Sequence, residues 1–432
     1  MWGKNVKNSK KIFFYLIILQ PVIDMITSIT TIHFDSPITL GVVCRTLLLL
    51  ILNGFIIVYC VKQNRKLLSL YLLALFAVLF SLAINFFIKP SFHFFHELNF
   101  AMKTGYLLTI IFTAIIFIQS KIIDSNLIHQ AGTVIALMIG STYWLALLTN
   151  TELNSYTYEG VGYSGWYYSA NELSTITIII LSFSLISLHK APRNIMNWLA
   201  FILILSMVPM IGTKTAFFGG LFLVFTYLIY LLYHARFMLW RDLKVLAYSF
   251  MMLIFVSSLP FSPISTNIST NIQKNDYFTR ADRFITQTSS HHEDRPFLSK
   301  ILSSRDLYFE KIKQDYFQAH PLRQALGLGF SGDYDEHPKL IEMDYFDLFF
   351  SYGFIGIIFL LIPLIILIRQ VWTIPNKIET VILLLALGLC FGISFVAGHV
   401  LFAPSVITYL GLLVIILGLN KLRDTSLTTM QL

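Results

Sequence analysis

FLSKILSSRDLYFEKIKQDYFQAHPLRQALGLGFSGDYDEHPKLIEMDYFDLFFSYG, residues 297–353, concentrates charge and glycine in an otherwise apolar chain. In its first half Leu298, Leu302, Arg305, Phe309, Ile312 and Tyr316 recur at the 3.6-residue period of an amphipathic helix, predicted over 297–319. Arg305 therefore shares the inward stripe. The second half passes through Gly327-Leu328-Gly329, where glycine allows a tight turn, and brings Glu342 and Asp344 to the mouth of an apolar run at 345–368. An arginine on a buried face and two carboxylates at a membrane edge suggest a site for an anionic substrate with a proton acceptor beside it.

That run is one of many. The 432 residues are 56% hydrophobic and only 12% charged, against about 25% charged in soluble domains, and mean hydropathy is +0.71. Runs of roughly twenty apolar residues, long enough to cross a bilayer, lie near 11–32, 38–61, 67–88, 98–119, 129–149, 169–189, 195–211, 215–233, 245–261, 345–368, 378–397 and 402–419. The predicted fold is all-α, a polytopic transmembrane helix bundle of about twelve spans with a large, partly helical extracellular loop. Residues 1–261 form an N-terminal transmembrane bundle, 262–344 the loop, and 345–432 the C-terminal transmembrane helices. No cleavable leader is recognisable, so the first run reads as a retained span.

Basic residues gather in the segments that this topology places inside, whereas the short outward turns carry only Lys89 and Lys214. By the positive-inside rule both termini face the cytoplasm and 262–344 faces out. The acidic lipid surface is a sufficient partner for most of the net charge of +8. Within the loop, SPISTNISTNIQKND (262–276) reads as linker, and its Asn267-Ile268-Ser269 glycosylation pattern carries little weight. Cys44, Cys60 and Cys390 all sit in apolar runs and offer neither a disulfide framework nor a zinc pattern. Redox chemistry is not expected.

Ionisable groups in hydrocarbon are costly and mark sites or pathways unless they pair with one another. Asp24, Arg45, Lys103 and His399 fall within or at the ends of spans, and Asp24 with Arg45 reads equally well as a structural pair or as part of a site. Lys214 interrupts two apolar runs in Met210-Ile211-Gly212-Thr213-Lys214-Thr215-Ala216, either snorkelling to the interface or acting as a phosphate ligand. The outward segment Glu159 to Leu173 is rich in glycine and aromatics, which suit an interfacial belt or a carbohydrate groove, and leads Asn171 and Glu172 into the next helix. Arg280 and Arg283 either contact phosphate or sugar, or pair with Asp276 and Asp282 on the loop surface. Neither a DxD-like carboxylate pair after a strand nor a His/Cys cluster is present, so no metal and no cofactor is called for. Asp333, Asp335 and Glu336 could bind a cation but read better as a solvated turn.

Gly165-Trp166-Tyr167 through Asn171-Glu172-Leu173, Gly212-Thr213-Lys214-Thr215-Ala216, Leu302-Ser303-Ser304-Arg305-Asp306, Gly327-Leu328-Gly329-Phe330 and Asp344 through Gly353-Phe354-Ile355-Gly356 occur in an order and spacing that resemble the O-antigen ligase and Wzy-type polysaccharide polymerase superfamily. The resemblance implies a membrane glycosyltransferase of the GT-C type, working on the outer face of the cytoplasmic membrane with undecaprenyl-pyrophosphate-linked oligosaccharides. It further implies that Arg305 and Lys214 hold the donor pyrophosphate; Arg45, Asn171, Arg280 and His399 are further candidate substrate-binding residues from the reading of the residues themselves. A carboxylate, Asp344 or Glu342, would then accept the proton of the attacking hydroxyl.

Two positions depart from the family pattern. Lys214 stands where arginine is usual, and Glu342-Met343-Asp344 with the earlier His337 stands where lipid A-core ligases commonly carry a histidine. The second departure favours a polymerase of capsular, exopolysaccharide or teichuronic-type repeat units over a ligase transferring finished glycan to a wall or lipid acceptor. Implied partners are the lipid-linked oligosaccharide, membrane lipid, a flippase and a chain-length regulator, with no role for nucleic acid. A reading of another class, a lipid-linked oligosaccharide flippase or transporter, would call for matched halves, and no internal repeat is seen.

Overall fold

The computed structural model describes residues 10, 13–34, 39–156, 160–235, 243–273, 305–333, 339–372 and 377–431. Among these, ten helices are long and apolar enough to cross a membrane. The first span, Phe13–Ile32, overlaps α1 (Gln20–Phe34). It is followed by α2 (Leu40–Gln63), α3 (Arg65–Ile88), α4 (Phe94–Ser120), α5 (Ser125–Leu148), α6 (Ala170–Lys190), α7 (Ile195–Met210), α8 (Lys214–Ala235) and α9 (Leu243–Ser258). The short α10 (Pro263–Gln273), α11 (Arg305–Gln318) and α12 (Pro321–Leu326) precede α13 (Asp344–Val371), α14 (Ile378–Val396) and α15 (Pro404–Gln431). The shorter apolar helices Ile195–Met210 and Val245–Phe261 occupy the other two predicted spans. A two-stranded antiparallel ribbon, Leu153–Asn154 with Tyr163–Gly165, is a minor addition to the helical bundle.

Helices α4, α6 and α15 form the centre, and their composition explains why. From Leu173 to Leu188 every residue of α6 is buried, as expected of a helix apolar on all sides. Its hydroxyls do not disturb this, because Ser174, Thr177 and Ser184 donate back to the carbonyls of Ala170, Leu173 and Ile180. By contrast α2 and α3 leave Leu50, Ile51, Phe76 and Phe87 exposed on the bundle's perimeter, the pattern of a lipid-facing wall.

The two ends of the bundle differ. At one end Lys10 pairs with Asp124 at 2.7 Å, Lys190 with Glu379 at 3.0 Å, and Lys421 donates to the Arg369 carbonyl at 2.7 Å, so the segments near both termini share that end. At the other end lie the ribbon, α10 to α12, and the starts of α4, α6, α8, α13 and α15.

Helix α13 fixes the loop to the bundle. Gly353 breaks its helical path with φ 63° and ψ −171°, a conformation that a side chain resists. The break frees the carbonyls of Phe350 and Ser351, which accept from Leu328 N at 2.9 Å and Gly329 N at 3.1 Å. The approach is so close that a Cβ on Gly327 would lie 2.1 Å from the Ser351 oxygen. At the next residue, Phe330, a buried Lys89–Glu97 ion pair at 2.5 Å takes hold: Lys89 donates to the Phe330 carbonyl at 2.6 Å, and Glu97 accepts from Phe330 N at 2.9 Å. Burial pushes the Lys89 ammonium pKa down, against the opposing charge of Glu97. The Gly327–Phe330 stretch is thus stapled to α3, α4 and α13 together.

Two expectations change. The stretch read as linker is helical over Pro263–Gln273. Asn267 is buried rather than displayed for glycosylation: it donates to the carbonyls of Val161 at 2.6 Å and Gly212 at 2.9 Å and accepts from Val161 N at 2.8 Å. Lys89, one of the two cations of the short outward turns, is buried where it caps α3. The amphipathic helix is present as Arg305–Gln318, with Ile312 and Tyr316 buried as predicted, while Leu298 and Leu302 lie outside the described residues.

Candidate functional site

Two carboxylates one turn apart at the start of α13 organise the site, each by gripping a loop. Asp344, 2% exposed, accepts through Oδ2 from Ser394 Oγ at 2.9 Å, Val400 N at 3.0 Å and Leu401 N at 2.8 Å. Its Oδ1 accepts from His399 N at 3.0 Å. Asp347 accepts from Ile341 N at 2.9 Å through Oδ1 and from Met343 N at 3.1 Å through Oδ2. Both acids lie in the first turn, where the helix dipole favours negative charge.

Each gripped loop carries a non-glycine residue in the left-handed region, Glu342 at φ 64° and His399 at φ 60°. Such conformations cost on the order of 1–3 kcal/mol and persist where the surroundings over-determine them. Here the surroundings are the two aspartates. Their grip turns the Glu342 and His399 side chains toward each other, with Nε2 of His399 3.6 Å from Oε2 of Glu342. Arg305 Nη2, from the first turn of α11, donates to the same oxygen at 3.2 Å, and Lys339 Nζ lies 3.4 Å from Oε1.

The electrostatics follow from this crowding. Burial works to raise the Glu342 carboxyl, but the His399 hydrogen bond and the charges of Lys339, His399 and Arg305 outweigh it and hold the pKa at about 2. Burial likewise opposes a charged His399, yet the hydrogen bond and charge of Glu342, with Glu172 and Asp344 behind, raise the imidazole above its usual 6.5. The pair exchanges protons as a unit.

Further residues line the same end of the bundle. Ser169 caps α6 by accepting from Glu172 N at 3.4 Å, leaving Asn171 exposed in the first turn. The Glu172 carboxylate accepts from Ser405 at the start of α15. Lys214 opens α8 and is exposed; the preceding Thr213 bonds Ser174 at 2.6 Å, which holds the interruption against the first turns of α6. Arg45 donates to Asp24, so the structural pairing is realised. Deeper on α4, Lys103 is half-buried within the span.

The structure therefore brings Arg305, Glu342, Asp344 and His399 into one cluster, sets Asn171 and Lys214 on the neighbouring helix starts, and engages Arg45 with Asp24. Arg280, with Arg283, His337, Asp335 and Glu336, lies outside the described residues. Asp333 is held by both terminal nitrogens of Arg323 at 2.7 Å, which makes it part of a fixed pair and not a freely solvated turn. Sequence reasoning missed Asp347, whose only local signal is its i+3 spacing from Asp344. It also gave Lys103 no role, although its charge within an apolar run was visible.

Neither the curated proteins nor the solved structures contain a match to this chain. A family model described as O-antigen ligase like membrane protein matches residues 6–422. Covering nearly the whole chain, that match places this protein in the family of O-antigen ligase like membrane proteins.

Proposed function

We propose that this chain is a glycosyltransferase of the outer face of the cytoplasmic membrane that polymerises undecaprenyl-pyrophosphate-linked repeat units into a surface polysaccharide. Family membership makes it a membrane-embedded glycan-transferring enzyme. The observation that carries the finer reading is the convergence of Arg305 on the Glu342–His399 pair at the loop end of the bundle. A pyrophosphate leaving group needs cations where its charge grows, and a partly dry cleft strengthens them. Arg305 supplies a planar fork suited to phosphate oxygens, while Lys214 and Lys103 supply point charges.

In the proposed reaction an acceptor hydroxyl oxygen attacks the anomeric carbon of the donor. The carbon–oxygen bond to the diphosphate breaks, the polyprenyl diphosphate leaves with the electron pair, and the hydroxyl proton passes to the Glu342–His399 pair. Asp344 or Glu342 was the expected acceptor of that proton, but the Asp344 oxygens already receive four hydrogen bonds. We assign it, with Asp347, to holding Glu342 and His399 in place. Donor binding draws Arg305 from Glu342 onto the diphosphate and so frees the carboxylate to support the imidazole.

The test is to give the purified protein one lipid-linked repeat unit as both donor and acceptor. A ladder of products supports polymerisation. Transfer that occurs only after a second, different acceptor is added identifies a ligase, and movement of labelled lipid across proteoliposomes without any elongation overturns the enzymatic reading.

A further inference from the structure

The segment that carries His399 runs on into α15, and there Ser405 Oγ donates to Oε2 of Glu172 in the first turn of α6. Glu172 is half-buried, and its Oε1 accepts from no group among the described residues. Beside it Asn171 presents an exposed amide. Lys103 of α4 lies at the same level. It stands midway between Phe100, whose ring centroid is 4.7 Å from that of Phe402, and Tyr106, whose hydroxyl is 2.8 Å from that of Thr408. Steps of three residues keep 100, 103 and 106 on the stripe of α4 that faces α15, so Lys103 comes opposite Ser405. Its ammonium forms no hydrogen bond or ion pair among the described residues, and a charge left so within a span faces a polar cavity.

We propose that Glu172 and Asn171 form the seat of the acceptor sugar, the carboxylate and the amide together taking the neighbouring hydroxyls of a vicinal diol on the repeat unit. The inference rests on the glycosyltransferase reading above and adds to it the residues that hold the ring of the nucleophile.

Three features point to a sugar. A half-buried carboxylate with one oxygen unfilled is costly unless a polar group completes it. Next, the mixture of groups fits neither an anion nor a hydrocarbon. Glu172 repels phosphate, whereas a carboxylate that accepts and an amide that both donates and accepts match hydroxyls, each of which does both. Finally, the position suits the reaction. His399, of the pair that takes the proton, precedes Ser405 in the same connection, and Glu172 is near enough for its charge to help raise that imidazole. Lys103, a cation for the diphosphate, stands opposite Ser405. A ring held by Glu172 therefore has its hydroxyls between the proton acceptor and the bond that breaks, the orientation that transfer requires.

The test separates the two substrates, with a labelled lipid-linked repeat unit as donor and the methyl glycoside of the same repeat unit, which carries no diphosphate, as acceptor. Glu172→Gln should raise the KM for the glycoside by about 10- to 100-fold, the loss of a charge-assisted hydrogen bond. Its kcat should be retained and its Kd for polyprenyl diphosphate unchanged, as when an interaction common to ground and transition states is removed. Asn171→Ala, at an exposed position, should raise the same KM by about 2- to 10-fold. Among glycosides each lacking one hydroxyl, one should bind wild type weakly and yet suffer no further loss in Glu172→Gln. A KM unchanged in both variants, polyprenyl diphosphate binding weakened as much as the KM is raised, or no deoxy glycoside whose penalty disappears in Glu172→Gln overturns the seat and leaves the enzymatic reading intact. Glycoside binding that both variants weaken, with no transfer from any donor, supports the seat and overturns the glycosyltransferase reading instead.

Discussion

Asp344→Asn separates a residue that holds a loop from one that takes a proton. Three of the four hydrogen bonds to Asp344 fall on Oδ2, from Ser394, Val400 and Leu401, and one on Oδ1, from His399 N. An asparagine that turns its carbonyl oxygen to the Oδ2 position keeps three acceptor contacts. Its amide then faces the His399 N–H with another donor. The loss is one charge-assisted hydrogen bond, about 1.5–3 kcal/mol, and it falls on a residue already at φ 60°. If that cost appears as displacement of His399 in the transition state, kcat falls about 10- to 100-fold, since each 1.4 kcal/mol is a factor of ten. The proton acceptor itself is untouched. Initial rates of elongation by detergent-solubilised protein across pH 5–9 should therefore show a lower plateau with the acid limb of the profile still present. A loss of about a thousandfold or more in a folded protein, with that limb abolished, would identify Asp344 as the base and refute the clamp.

The Glu342–His399 pair predicts the position of that limb. A histidine whose folded pKa is raised becomes neutral, and able to accept a proton, only as pH rises through a value above 6.5, so kcat/KM should fall on the acid side of that point. Glu342→Gln removes the partner that raises the imidazole, leaving burial to dominate, and should move the limb to lower pH while reducing the rate; a limb that stays in place would detach Glu342 from His399. For stability the signs are opposed. The depressed Glu342 pKa contributes above about 4.5 and is lost as pH falls toward about 2, whereas the His399 contribution is present below 6.5 and fades as pH rises through its folded value. Acid-side melting measured on Glu342→Gln should accordingly be less pH-dependent than on wild type. Lys214→Arg should retain most activity and Lys214→Ala lose about tenfold in kcat/KM if a point charge suffices there; equal losses would show that geometry matters more than charge. Glu97→Gln strands the Lys89 ammonium in a buried site, with an expected cost of about 3–5 kcal/mol, read as a lower melting temperature in detergent; an unchanged melting temperature would mean that the pair does not hold the Gly327–Phe330 staple.

How much of this was legible in the sequence depends on how far each cause reaches along the chain. Spans such as Ile378–Val396 are written locally in hydropathy, and the inward face of α11 in its period, so Arg305 could be placed on a buried stripe from residues within a few turns of it. The Asp24–Arg45 pair was also accessible, because two opposite charges in adjacent spans have few other partners in hydrocarbon. The grip of Asp344 on residues 399–401 was not. Its donors are backbone N–H groups more than fifty positions away, and a backbone group leaves no mark on residue identity. For the same reason the left-handed Glu342 and His399 were invisible: the sequence shows two ordinary polar residues, and their strain exists only once both loops are held. The helix over Pro263–Gln273 was hidden differently, since its Ser/Thr/Asn composition has weak helix preference and the stabilising contacts of Asn267 come from Val161 and Gly212.

The most direct measurement is a structure of the protein bound to a polyprenyl diphosphate. The account predicts diphosphate density within roughly 3 Å of the Arg305 guanidinium and beside the Glu342–His399 pair, at the end of the bundle that carries the loop. Diphosphate bound at the opposite end near Lys190 and Lys421, or at the loop end with Arg305 still bonded to Glu342 and pointing away, would contradict it.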